Sequence, residues 1–271
     1  MILKRKIYKK LLEWKNECQG KKALLIEGAR RIGKSTICEE FGKNEYESYL
    51  LIDFAKKDKE VEMYFERYLN DMDTFFMLLQ THFGTKLTER NSLIIFDEVQ
   101  MFPQARAAIK YLVADGRYDY IETGSLISIS ENVKNIVIPS EERNINMYPL
   151  DFEEFAIALE EDLLVEYIKK CFEKREPLER SMHNQAMLLF HQYMLVGGMP
   201  MPVVSFIESK KDFTEADKEK RDILKLYRED IMKIDMRYRS KVLAIYDQIP
   251  GFLSQHEKRV VLSRDWNRYL E

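Results

Sequence analysis

Residues 28–35 read G-A-R-R-I-G-K-S, a full match to G-x-x-x-x-G-K-[ST]. No other feature of the sequence narrows the fold so far. Gly28 and Gly33 let the backbone turn so that successive N–H groups face one concave side. Such a row of donors, opening onto a helix N-terminus, binds phosphate oxygens. The motif needs a buried strand before it and a helix after it. The apolar run 23–26 supplies the strand, and Ile37 and Phe41 predict a helix that Gly42 closes. The binding segment is then Gly28, Ala29, Arg30, Arg31, Ile32, Gly33, Lys34, Ser35 and Thr36. Lys34 brings a cation to the β- and γ-phosphates, and the Ser35 hydroxyl is a ligand for Mg²⁺. Of Arg30 and Arg31, one is expected to face phosphate and the other a neighbour.

A second signal lies at 93–98, where L-I-I-F-D-E is an apolar strand ending in two acids. Asp97 at a strand end can hold Mg²⁺, and Glu98 can polarise an attacking water. Adjacent acids favour an NTP hydrolase over a small-molecule kinase. The sequence has no N-K-x-D for guanine. Thr123-Gly124-Ser125 closes the next predicted strand, and Ser125 or Thr123 could sense the γ-phosphate; a plain turn is the other reading. Arg143 lies in a polar run past the last predicted strand, either an arginine finger or a solvated side chain.

The surrounding pattern supports one architecture. Ile7, Leu11 and Trp14 predict an opening helix with a stop at Gly20. Strands are predicted at 49–52, 93–96, 120–122 and 136–138, with helical segments over 61–83, broken near Asp73, and from Pro103. Strands alternating with helices predict a three-layer αβα sandwich with a mostly parallel sheet, the α/β fold of P-loop NTPases. Near residue 150 the pattern changes. Asp151 and Glu154 have capping-box spacing for a helix from Phe152, and helical segments follow at 161–172, 183–196, 215–235 and 240–249. The expected division is an ATPase domain at 1–155 and a helical lid or C-terminal region at 156–271.

Composition removes other classes. The chain is 45% hydrophobic, which excludes a disordered polymer. With 43 basic and 46 acidic residues, net charge gives no support to DNA binding. No apolar run reaches the ~20 residues of a spanning helix, and 1–17 lacks a signal-peptide core, so no membrane is expected and the setting is read as cytoplasmic. Cys18, Cys38 and Cys171 form no disulfide framework, and the four histidines have no metal spacing. The aromatic stretch at 64–76 is read as core rather than as a nucleic-acid platform, and the Lys/Arg-rich run at 218–228 as a solvated helix face.

With these residues in hand, the chain resembles the AAA-type ATPases of bacteria and archaea that carry a C-terminal domain of unknown function. The resemblance rests on the order of its motifs: R-x-x-Y at Arg5 and Tyr8, the phosphate loop, F-D-E-V-Q through Gln100, T-G-S, Y-P-L-D-F-E-E-F at 148–155 and G-G-M-P at 197–200. It implies ATP rather than GTP, with Lys34, Ser35, Asp97 and Glu98 in the roles above. It also implies an ATP state that controls assembly or partner binding. Such proteins usually continue into a winged helix; Ile249-Pro250 and Leu262-Ser263 resemble its start, and the helical region is expected to run into a truncated one. The expected cofactors are ATP and Mg, with a protein partner or a further copy of the chain. The alternative function is a nucleotide-gated switch, recruiting protein or DNA with little or no hydrolysis.

Overall fold

The computed structural model describes residues 1–125 and 140–254. Its first part runs α1 (Ile7–Cys18), β1 (Ala23–Glu27), α2 (Lys34–Glu45), β2 (Ser48–Asp53), α3 (Lys59–Arg67), α4 (Met72–Phe83), β3 (Ser92–Asp97), α5 (Pro103–Asp115), β4 (Asp119–Gly124) and β5 (Glu142–Asn146). The five strands form one sheet in the order β2-β3-β4-β1-β5, and every pairing is parallel.

Alternation along the strands divides the side chains between two cores. Leu24 and Ile26 of β1, with Leu93 and Ile95 of β3, meet Leu11, Trp14, Ile37 and Phe41 of α1 and α2. Ala23, Leu25, Ile94 and Phe96 point the other way, into the aromatic cluster of α3, α4 and α5. The strands read as continuous apolar runs because both faces are covered. Each fully buried Leu or Phe contributes about 1.5–3 kcal/mol through removal of apolar surface from water. Trp14 lies in this core and still satisfies its indole N–H, which donates to the Lys22 carbonyl at 3.0 Å.

The expected three-layer α/β sandwich is the observed fold, with three local differences. Helix α2 does not stop at Gly42 but continues to Glu45. Gly42 is there because α2 crosses β2 closely: a Cβ on it would lie 2.8 Å from the Tyr49 Cβ. The stretch 61–83 breaks ahead of Asp73, where Asp71 caps α4 by accepting the Thr74 N–H. The polar run at Arg143 is itself a strand, β5, pairing with β1 at the sheet edge, where polar alternation replaces the apolar run. The strand expected at 136–138 lies outside the described residues.

Beyond the sheet come α6 (Phe152–Ala158), α7 (Asp162–Lys174), α8 (Arg180–Val196), α9 (Pro200–Glu208), α10 (Phe213–Ile231) and α11 (Met236–Ser254). The capping box of α6 is complete: Asp151 accepts the Glu154 N–H at 2.9 Å, and Glu154 accepts the Asp151 N–H at 3.2 Å. Helix α9 falls between the helical segments that the sequence predicts. It is short and starts with Pro200 as its first residue, bent 120° from α8. A third core joins Leu150, Phe155, Leu189, Val203 and Phe206, and the N-terminal Leu3 packs into it. Among the described residues no single helix is long and apolar enough to cross a membrane; the bent pair α8–α9 meets the length and composition test only when taken together.

Candidate functional site

In a parallel sheet the C-terminal strand ends share one edge. Here β1, β3 and β4 meet in register, with Ile26 beside Thr123 and Phe96 beside Glu122. The loop after β1, the acids ending β3 and the hydroxyls ending β4 are therefore brought together by backbone pairing alone.

The loop follows its motif. Helix α2 begins at Lys34, and Gly33 before it has φ +90°, open to glycine at low cost. Arg31 is also left-handed, with φ 68°. Gly28 is fixed by crowding, since a Cβ there would lie 2.4 Å from the Met147 carbonyl oxygen. Ile32 is fully buried in the core below and anchors the loop. Lys34 is 6% exposed, and its ammonium donates to the carbonyls of Gly28 at 3.1 Å and Ala29 at 2.9 Å. Burial lowers its pKa, against the pull of Glu98 and Asp97. Thr36 is exposed on the first turn of α2.

Ser35 Oγ stands 2.7 and 2.8 Å from the two carboxylate oxygens of Asp97, so the loop and the acidic strand end touch. Thr123 Oγ1 donates to Asp97 and accepts the Glu98 N–H at 3.2 Å. Glu98 has φ 53°, an uncommon conformation for a residue with a side chain, and its carboxylate accepts from Gln100 Nε2 at 2.5 Å. Ser125 follows β4 by one residue and is half-buried.

Arg143 is not brought to this edge. It pairs in register with Leu24, near the opposite end of β1, and its guanidinium is bonded to Glu17 of α1 at 2.7 Å. The polar run past the last predicted strand is an edge strand. Of the two loop arginines, Arg30 is the one that faces a neighbour: its Nη1 reaches both oxygens of Asp230 on α10, at 2.7 and 2.8 Å. Arg31 is exposed.

Several participants were missed. Arg5, 6% exposed at its side chain, donates to the Ile32 carbonyl at 3.0 Å, the Tyr148 carbonyl at 2.5 Å and Glu154 at 3.2 Å. The R-x-x-Y and P-L-D-F-E-E-F segments are thus two halves of one joint behind the loop. G-G-M-P belongs to it as well: the Leu150 N–H donates to the Gly198 carbonyl at 2.7 Å, and a Cβ at Gly198 would lie 2.1 Å from the Leu150 oxygen. The shared order of these motifs was the available signal; their contact was not.

The model of a family described as the AAA domain matches residues 20–156. Among solved structures, C. elegans PCH-2 is similar at 12% identity, over 81% of this chain and 69% of that one, with a TM-score of 0.42. The Aeropyrum pernix ORC1 protein in complex with DNA is similar at 9% identity, over 92% of this chain and 84% of that one, with a TM-score of 0.35. No curated protein matches. The family match spans more than half of the 271 residues and covers the phosphate loop, the acid pair and the parallel sheet that joins them: the chain belongs to the AAA domain family.

Proposed function

We propose that the protein binds Mg-ATP at residues 28–36 and hydrolyses it, and that its nucleotide state controls assembly or the binding of a partner. The observation that carries this reading is the meeting of Ser35 with both oxygens of Asp97, one residue after the buried Lys34. A hydroxyl and a carboxylate are hard oxygen donors of the kind Mg²⁺ takes. Among the described residues no group of three or more His, Cys, Asp or Glu could cage a metal alone. That fits an ion completed by water and phosphate oxygens. When bound, Mg²⁺ neutralises charge on the β- and γ-phosphate oxygens.

The chain's own residues do the rest. Lys34 exchanges the Gly28 and Ala29 carbonyls for phosphate oxygens. Loop N–H groups and the N-terminus of α2 cradle the phosphates. Glu98 orients the attacking water and takes up its proton. Thr123 holds Asp97 and the Glu98 backbone in place, and Ser125 is left as the γ-phosphate sensor. We read residues 156–271 as a lid or docking surface, of which 255–271, with the expected winged-helix start at Leu262-Ser263, lie outside the described residues, and the cytoplasm as the setting on free Cys18, Cys38 and Cys171.

Single-turnover hydrolysis of Mg-ATP by the wild type and Glu98→Gln, with binding measured in both, tests this. We expect Glu98→Gln to bind ATP while losing about 10²–10⁴-fold in rate. A wild type that does not bind ATP overturns the reading. The switch reading has an observation of its own: Gln100 engages Glu98, and Arg143 stands away from the loop. Equal binding with no hydrolysis by either protein selects it.

A further inference from the structure

The phosphate loop is also gripped from outside by α10. Asp230 takes Nη1 of Arg30 with both carboxylate oxygens, and the Tyr227 hydroxyl donates to the Arg30 carbonyl at 2.9 Å. Tyr227 and Asp230 are one helical turn apart and lie on one face of α10. The same stripe begins with Ala216 and Ile223, the buried residues of that helix. One helix face is therefore rooted in apolar contacts and ends on the phosphate loop. At the loop's other end Pro200, the first residue of α9, comes within 3.7 Å of where a Gly33 Cβ would stand.

We propose that Tyr227 and Asp230 are positioning residues for the phosphate loop, and that nucleotide binding and the docking of α10 are linked through Arg30. The proposal rests on the nucleotide-site reading above only for its second half. A trans peptide is planar, with its C=O and N–H pointing opposite ways. Holding the Arg30 carbonyl toward Tyr227 therefore turns the Arg31 N–H away from α10, back across the loop. The ion pair fixes the Arg30 side chain on the α10 side, among Asp230, Glu229 and Glu98 as its charged neighbours. Asp230 is held from a second side by Lys233 at 2.7 Å. Linkage is reciprocal: if docking of α10 organises the loop for phosphate, a bound phosphate must strengthen docking by the same factor.

The test is hydrogen exchange on the full chain with and without Mg-ATP, beside the ATP dissociation constant, for the wild type, Tyr227→Phe, Asp230→Asn and the double variant Arg30→Ala/Asp230→Asn. In both single variants we expect exchange over 28–33 to quicken severalfold even without nucleotide. We expect Mg-ATP to slow exchange over 213–231 in the wild type and less in the variants. The dissociation constant should rise about fivefold or more, the lower end of common coupling factors. The double variant should match Asp230→Asn alone, because both changes remove one contact. Unchanged loop exchange in both single variants overturns the positioning claim. Wild-type ATP binding that leaves 213–231 unchanged overturns the linkage. A wild type that binds no ATP but loosens at the loop in the variants overturns the proposed function and sustains the positioning claim.

Discussion

Asp97 is nearly buried, and its two closest donors are the hydroxyls of Ser35 and Thr123. Removing the Thr123 hydroxyl takes one donor from Asp97 and leaves the Glu98 N–H without its acceptor, at a cost of about 1–3 kcal/mol. Thr123→Val should lower stability by that amount in urea titrations, and Thr123→Ser should restore most of it. A plain turn at 123–125 would tolerate valine. A second buried acid behaves differently. Glu122 is fully buried; among the described residues its carboxylate has no hydrogen-bond donor, and Arg106 beside it is engaged by Glu142 at 3.0 and 2.8 Å. Burial first, and the Glu142 charge second, push the Glu122 carboxyl well above its ordinary value. An acid raised on folding contributes stability that is complete below its unfolded pKa near 4.3 and is lost as pH rises through the folded value. Stability should therefore decline from mildly acidic toward alkaline pH, and Glu122→Gln should flatten that slope; an unchanged slope in the variant would refute a neutral Glu122. Motif spacing made Lys34, Ser35 and Asp97 legible in the sequence. The partnership of Arg30 with Asp230 was not, because 200 residues separate them and neither stands in a pattern that asks for the other.

Helix α2 shows how an element reads differently from its letters. Replacing a helical glycine by alanine ordinarily gains about 1 kcal/mol. At Gly42 the added methyl would meet the Tyr49 Cβ and Cγ at 2.8 and 2.9 Å, atoms that cannot swing aside. Gly42→Ala should therefore destabilise, by about 1–3 kcal/mol in thermal unfolding, as overpacked sites do. A gain would show that α2 and β2 separate easily. The buried strands and the α6 capping box were legible because local physics decides them: apolar runs covered on both faces, and a reciprocal bond between residues three apart. β5 was not, since an edge strand needs no apolar run and gains its identity only by pairing with β1.

The sheet and the helical core are joined at Arg5. Its side chain and that of Glu154 are 6% and 7% exposed, and the loop carbonyl of Ile32 shares the same guanidinium. Taking away one member of a buried pair leaves the other uncompensated, commonly at about 3–5 kcal/mol. Arg5→Ala should cost that much in denaturant titration, while Arg5→Ala/Glu154→Gln should recover part of it. Recovery of stability without recovery of nucleotide affinity would locate the importance of Arg5 in the Ile32 contact. The change from strands to helices near residue 150 could be read from the loss of strand signals. That Leu3 and Arg5 cross to the far side of it could not, because six residues before a helix carry no periodicity to interpret.

The strand order has a consequence for how this protein comes into being. Of the five described strands β1 is made before the rest, yet its neighbours in the sheet are β4 and β5. β2 and β3, made in between, can pair with each other at once. Of the five strands, the one that carries the phosphate loop is therefore made before the others and enclosed after β2 and β3 have paired. Closing such distant pairings is slow compared with local ones. Until residue 124 has been made and has folded back, the glycines, Lys34 and Ser35 exist as sequence but not as a site.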